Sequence, residues 1–270
     1  TSVGGTSLPP ETASHIHKAR PHLPKVDNLG VLSKETLIGA KGLYDVHHSW
    51  IWNDLKFTEG PDPSDFMSNA VGSGGATAFA QPTYQKHLDK DIQQRYFKHC
   101  ERDHTGKRKA QCRLYPDVAL LGGGSTFYIM LDTYMTSNRA GRLMPVAGTS
   151  ASAPLFAALI ARINSAMQKN DPSFNGVGFV NPALYHLAKD KENGVFKTDI
   201  KGHNCTLFDS DTLDLFDEET ENYPWDKTLC FSEDDSKRLY QANEQYNTAS
   251  GLGELNGERL LKNIKTLYED

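Results

Sequence analysis

The sequence predicts an α/β protein built on a largely parallel sheet. Short apolar runs alternate with stretches of helical spacing, the order that a sheet flanked by helices produces. The segment 149–169 has the strongest helical pattern: Leu155, Leu159, Ile163 and Met167 recur near every fourth position, and Phe156, Ile160 and Ala166 widen the face. A length of 270 residues with 38% hydrophobic content suffices for a sizeable core, and one α/β domain of this size is ordinary.

The elements follow in order. Residues 1–8, TSVGGTSL, read as a buried strand running into a Gly-containing turn. Residues 9–70 are polar and irregular, with Pro9-Pro10, Pro21, Pro24 and Pro61-Asp62-Pro63. They predict a long surface excursion with short helices near 34–41 and 46–52. Residues 72–84 predict a Gly-rich turn and an extended segment, and 85–99 a helix with Leu88, Ile92 and Tyr96 on one face. A basic loop, 101–113, follows. Residues 114–121, LYPDVALL, read as one strand; Gly122-Gly123-Gly124 ends it, and 125–131 read as the next. Asn181-Pro182 opens a helix to about 189, an acidic loop occupies 209–221, and a last helix spans about 256–268.

Composition narrows the function classes. The net charge of −5 implies no strongly basic face, and Lys107-Arg108-Lys109 is too short for a nucleic-acid patch, so nucleic acid is not the expected partner. No stretch approaches 18 apolar residues, so no membrane span is expected. The four cysteines form no C-x-x-C pair, which disfavours a zinc ribbon. Two short loops would pair Cys100 with Cys112 and Cys205 with Cys230. Asn204-Cys205-Thr206 is an N-glycosylation sequon, and with an even cysteine count it points to the secretory route. The chain opens at Thr1 without an apolar leader, which predicts a processed or trimmed product.

The chemistry concentrates in Val146-Ala147-Gly148-Thr149-Ser150-Ala151-Ser152-Ala153-Pro154. A serine stands where a Gly-containing turn enters a helix rich in small residues. The helix N-terminus offers free N–H groups and a positive dipole end. A serine nucleophile there can attack a carbonyl whose developing oxyanion meets the serine's own N–H. Gly148 lets a substrate backbone approach closely. The bland alternative is that Thr149 or Ser150 only caps the helix.

The string Gly148 to Pro154 resembles the nucleophile motif of the sedolisins, the serine-carboxyl peptidases with a subtilisin-like fold. Other segments resemble that family in the same order: Val3-Gly4-Gly5-Thr6, Ser73-Gly74-Gly75 with Phe79, Pro82, Tyr84 and Gln85, Tyr115-Pro116-Asp117-Val118-Ala119, and Gly178 to Tyr185. Val195 to Ile200 and Tyr246 to Gly253 resemble its calcium loops. The wording is nearest the tripeptidyl-peptidase I branch. The likeness covers about 1–8 and 72–270, so the chain reads as the C-terminal part of one catalytic domain with an unfamiliar insertion at 9–70. Subtilisins share Gly-Thr-Ser, but none of the ten histidines here is followed by Gly, as their base requires.

The resemblance implies a subtilisin-like parallel sheet flanked by helices and a peptidase acting at acidic pH. Ser150 is the implied nucleophile, with Gly148 and Thr149 at the substrate. A glutamate base, an aspartate that orients it and an oxyanion aspartate complete the family's set. These lie before the Val-Gly-Gly-Thr strand and are absent here. The expected partner is therefore an N-terminal chain of the same precursor, alongside a peptide or protein substrate. Calcium is the implied cofactor, on Asp199, the Ile200 carbonyl, carbonyls of Asn243 and Gln245, and Asn247 in place of an aspartate. A secreted or lysosome-like acidic compartment is the implied location. The competing reading is a non-catalytic sedolisin-like structural or binding protein.

Overall fold

The computed structural model describes residues 1–7, 49–51, 72, 74–123, 128–132, 142–202, 242 and 246–269. Their strands are β1 (Val3–Ser7), β2 (Ser49–Ile51), β3 (Gly75–Ala80), β4 (Cys112–Tyr115), β5 (Val118–Leu121), β6 (Tyr128–Asp132), β7 (Arg142–Val146), β8 (Phe196–Lys197), β9 (Ile200–Lys201) and β10 (Glu254–Leu255). Their α-helices are α1 (Lys90–Phe97), α2 (Thr149–Asn170), α3 (Asn181–Leu187) and α4 (Gly257–Glu269), with short 3-10 helices at Thr83–His87 and Lys191–Asn193.

The main sheet runs β8-β10-β5-β1-β2-β9. At its centre β1 and β5 are parallel, with Val3 opposite Val118 and Thr6 opposite Leu121. β10 is parallel to β5 and β2 to β9, whereas β2 is antiparallel to β1 and β8 to β10. The sheet is thus mixed, an α/β fold consistent with a subtilisin-like peptidase: β10, β5 and β1 run parallel at its centre, and β2 with β9 makes a second parallel pair at one edge. β3–β4 and β6–β7 make two separate antiparallel ribbons.

Two local expectations are corrected. Residues 49–51 form a strand, not a helix, and the surface excursion contributes them to the main sheet. Ser49 and Ile51 are buried there, because pairing on both sides with β1 and β9 outweighs local propensity. The run 114–121 splits into β4 and β5 on two different sheets. Pro116 has no N–H to continue a ladder, and Asp117 turns into a buried polar network instead. The helix expected at 34–41 and the acidic loop 209–221 lie outside the described residues.

The Asp117 network pins the edges of the core to one another. Its carboxylate is buried and accepts from the Ser2 N–H at 2.7 Å, Arg113 Nη2 at 2.7 Å, Asn181 Nδ2 at 3.1 Å and the Tyr185 hydroxyl at 3.0 Å. The start of β1, strand β4 and two residues of α3 meet at one charge. Four donors, one of them a guanidinium, compensate its desolvation.

Helix α2 lies across β1 and β5 and also meets α4. It buries Ser152, Phe156, Ile163 and Met167. The expected stripe is rotated: Leu155 is 43% exposed, while Leu159 and Ile160 are half-buried. Each large apolar side chain so buried contributes about 1.5–3 kcal/mol. Leu114, Val118, Leu184, Leu260 and Ile264 belong to the same core.

Candidate active site

Gly148 precedes α2 with φ +94° and ψ 167°, a conformation that a side chain would strain. Its N–H donates to the Gly122 carbonyl at 2.6 Å, just past the end of β5. Its carbonyl accepts from the Ala151 N–H at 2.9 Å and the Ser152 N–H at 3.3 Å, which opens the helix. Thr149 is half-buried and Ser150 is exposed. The structure therefore brings Gly148, Thr149 and Ser150 together in one turn at the carboxyl ends of β1 and β5, where open α/β sheets place ligands.

The strand ends beneath this turn are closely packed. The Gly122 and Gly123 N–H groups donate to the Thr6 carbonyl at 2.8 and 2.9 Å. A Cβ on Gly122 would lie 2.9 Å from Ser152 Oγ, 3.2 Å from Gly5 Cα and 3.3 Å from the Gly148 carbonyl carbon. Only glycine fits between the helix and β1. Ser152, fully buried, donates to the Leu121 carbonyl at 2.9 Å and lies 3.3 Å from the Leu120 carbonyl. The Tyr128 hydroxyl also donates to Leu121, at 2.8 Å. Burial first, and then the nearby Glu254 carboxylate, push the Tyr128 phenol up to about 12. Glu254 is itself buried on β10, accepting from the hydroxyls of Thr6 and, at 2.7 Å, Ser49. Lys197 Nζ lies 3.5 Å from that Ser49 hydroxyl.

Sequence reasoning missed Ser152, Tyr128 and Glu254. Ser152 stood in the motif with no partner to suggest a role, since the carbonyls it meets lie 31 and 32 residues earlier. An isolated glutamate in a two-residue strand carries no local signal at all.

An exposed hydroxyl on a helix N-terminus, held on a rigid strand end, has the placement a nucleophile needs: access, nearby N–H donors and a positive dipole end. Among the described residues, no carboxylate or imidazole hydrogen-bonds to Ser150.

The other candidate residues lie elsewhere. A disulfide joins Cys100 and Cys112 at 2.08 Å and closes the basic hairpin, whose Arg102 and Arg108 face each other. Cys205, Cys230 and Asn204 lie outside the described residues, as do Asn243 and Gln245. Asp199 precedes β9, and Ile200 is buried within it. Asn247 Oδ1 accepts from the Ala249 N–H at 3.0 Å, the Ser250 N–H at 2.8 Å and the Ser250 hydroxyl at 3.1 Å. An oxygen surrounded by three donors closes its own turn. It does not fit a calcium ligand, which needs its lone pairs facing the ion. Among the described residues, no group of three or more His, Cys, Asp or Glu side chains is placed to hold a metal.

A tripeptidyl-peptidase of Aspergillus fumigatus is 25% identical over 260 residues, covering 94% of this chain and 36% of its own length. Kumamolisin of a Bacillus species is 27% identical over 218 residues, covering 80% of this chain and 28% of its own. The sequence likeness is to sedolisin-type peptidases. A tripeptidyl-peptidase of Dictyostelium discoideum adds a shorter match, 42% identical over 69 residues and 24% of this chain. No family profile matches the chain. The chain thus spans about a third of the length of these sedolisin-type relatives. Among the described residues, no helix is long and apolar enough to cross a membrane.

Proposed function

We propose that this chain carries the serine nucleophile of a serine-carboxyl peptidase acting on peptides at acidic pH. The single observation behind this reading is the exposed Ser150 in the first turn of α2, fixed to the strand end through Gly148 and Gly122. Ser150 Oγ attacks the scissile carbonyl carbon as its proton passes to a carboxylate base. The C–N bond breaks, the amine leaves with a proton, and water hydrolyses the acyl-enzyme. The names of the relatives support peptides as substrate, with release of tripeptides as the specific form.

The base and the oxyanion carboxylic acid come, in this reading, from polypeptide outside these 270 residues, the N-terminal chain. Helix α2 supports such a partner. Ala153, Pro154, Leu155, Ala157, Ala158 and Ala161 are all exposed on α2, whose stretch 153–161 carries no polar side chain. Helices of that kind are normally buried on every side. The Cys100–Cys112 bond favours an oxidising route, and hence a secreted or lysosome-like compartment, where Asn204 would be glycosylated.

The test is peptide hydrolysis at acidic pH by the full protein and by its Ser150→Ala variant, with native mass spectrometry before and after denaturation. Activity that disappears in the variant, together with a second polypeptide released only on denaturation, supports the reading. A folded, solitary chain without hydrolytic activity would favour the non-catalytic alternative.

A further inference from the structure

The geometry assigns Ser152 a positioning role: its hydroxyl latches the first turn of α2 to β5 and so sets the direction of Ser150. This rests on Ser150 being the nucleophile. A serine inside a helix ordinarily turns its hydroxyl back to the carbonyl four residues earlier. Here that carbonyl belongs to Gly148 and takes the Ala151 and Ser152 N–H groups. The Ser152 hydroxyl instead leaves its own helix and donates to Leu121, with Leu120 also within reach at 3.3 Å.

The latch is closed at two points that flank Ser150 in sequence. Upstream, the Gly148 N–H bonds the Gly122 carbonyl at 2.6 Å; downstream, Ser152 bonds Leu121 at 2.9 Å. The acceptors are consecutive residues of one strand end. That end is itself held by Thr6, through the Gly122 and Gly123 N–H groups. The Leu121 carbonyl is shared with the Tyr128 hydroxyl, so β6 registers on the same atom. Two directional bonds oppose rotation of α2 about its axis and sliding along it, the two movements that would swing Ser150 Oγ. Packing alone does not require the hydroxyl, since an alanine methyl fills almost the same space. Gly122 completes the arrangement, because any side chain there would meet Ser152 Oγ at 2.9 Å.

The experiment compares wild type, Ser152→Ala, Ser152→Thr and Ser150→Ala in the full protein, by steady-state peptide hydrolysis and by hydrogen exchange at the Gly148 amide. Misplacing a catalytic group by about 1 Å costs up to about 100-fold. We therefore expect a kcat loss of about 10- to 100-fold in Ser152→Ala with KM nearly unchanged. Ser152→Thr, which keeps the hydroxyl, should recover most of kcat. Exchange at Gly148 should quicken in Ser152→Ala while the Ile163 amide stays protected. A folded Ser152→Ala with wild-type kcat, or unaltered exchange at Gly148, overturns the assignment. Should the alanine variant not fold, Ser152→Cys, close in size and a weak donor, must show the same kcat loss and the same faster exchange, and wild-type behaviour in it overturns the assignment. Hydrolysis that survives in Ser150→Ala removes the nucleophile reading itself. An inactive Ser150→Ala beside a fully active Ser152→Ala removes only the latch.

Discussion

The Asn247 amide oxygen receives three hydrogen bonds in a position from which water is excluded. Its removal leaves two backbone N–H groups without that acceptor. Asn247→Ala should therefore lower unfolding stability by about 1–3 kcal/mol in urea titration, equally with added calcium and with a chelator. A loss that appears only in the presence of calcium would instead make Asn247 a ligand. At this scale the sequence was informative where the meaning was local. Gly148, Thr149 and Ser150 are adjacent, and their conformation follows from one turn and one helix start. The Asp117 network and the Ser152 latch were not legible, because each joins residues from distant parts of the chain. The calcium assignment meets the same limit: a loop's residue types do not say whether an amide oxygen faces an ion or its own backbone.

Among the elements, α2 was read correctly in extent but not in orientation. Its pattern fits several apolar faces almost equally well, since alanines and leucines surround it. Contact with β1 and β5 selects the face carrying Ser152, Phe156, Ile163 and Met167. Phe156→Ala should thus destabilise the fold by about 3–5 kcal/mol. Leu155→Ala should barely move stability of the isolated chain, because that side chain is 43% exposed. Thermal unfolding of the two variants checks the contrast, and equal losses would place the buried face wrongly. The hairpin between α1 and β4 depends on its disulfide. Opening a loop of this size costs about 3 kcal/mol, so Cys100→Ser with Cys112→Ser should lower stability by roughly that amount. β2 was missed for a different reason. Three residues carry too little pattern, and the pairing partners that make them a strand, β1 and β9, lie far away in sequence.

At the scale of the whole molecule, several phenols are buried in neutral form. Burial, and then the Asp117 charge, raise Tyr185 well above the ordinary tyrosine value of 10.0; burial and then Tyr185 do the same for Tyr246. Tyr128 joins them at about 12. The folded chain keeps these protons to higher pH than the unfolded chain does. Their contribution is fully present below pH 10.0 and is lost as pH rises through the folded values. The melting temperature should accordingly fall once pH passes 10.0, with phenolate absorbance rising as the protein unfolds; a flat profile would mean these hydroxyls are open to solvent. The α/β class was legible from alternating patterns. The antiparallel pairs β1–β2 and β8–β10 were not, because such pairing is decided by where the connecting chain returns.

The measurement that tests the central claim most directly is the location of a trapped acyl group. The full protein is incubated at acidic pH with a slowly deacylating peptide ester, and the adduct is mapped by peptide mass spectrometry. The account predicts one acyl group, on Ser150, absent from Ser150→Ala. An adduct on a different residue, or hydrolysis that continues undiminished in Ser150→Ala, would contradict it.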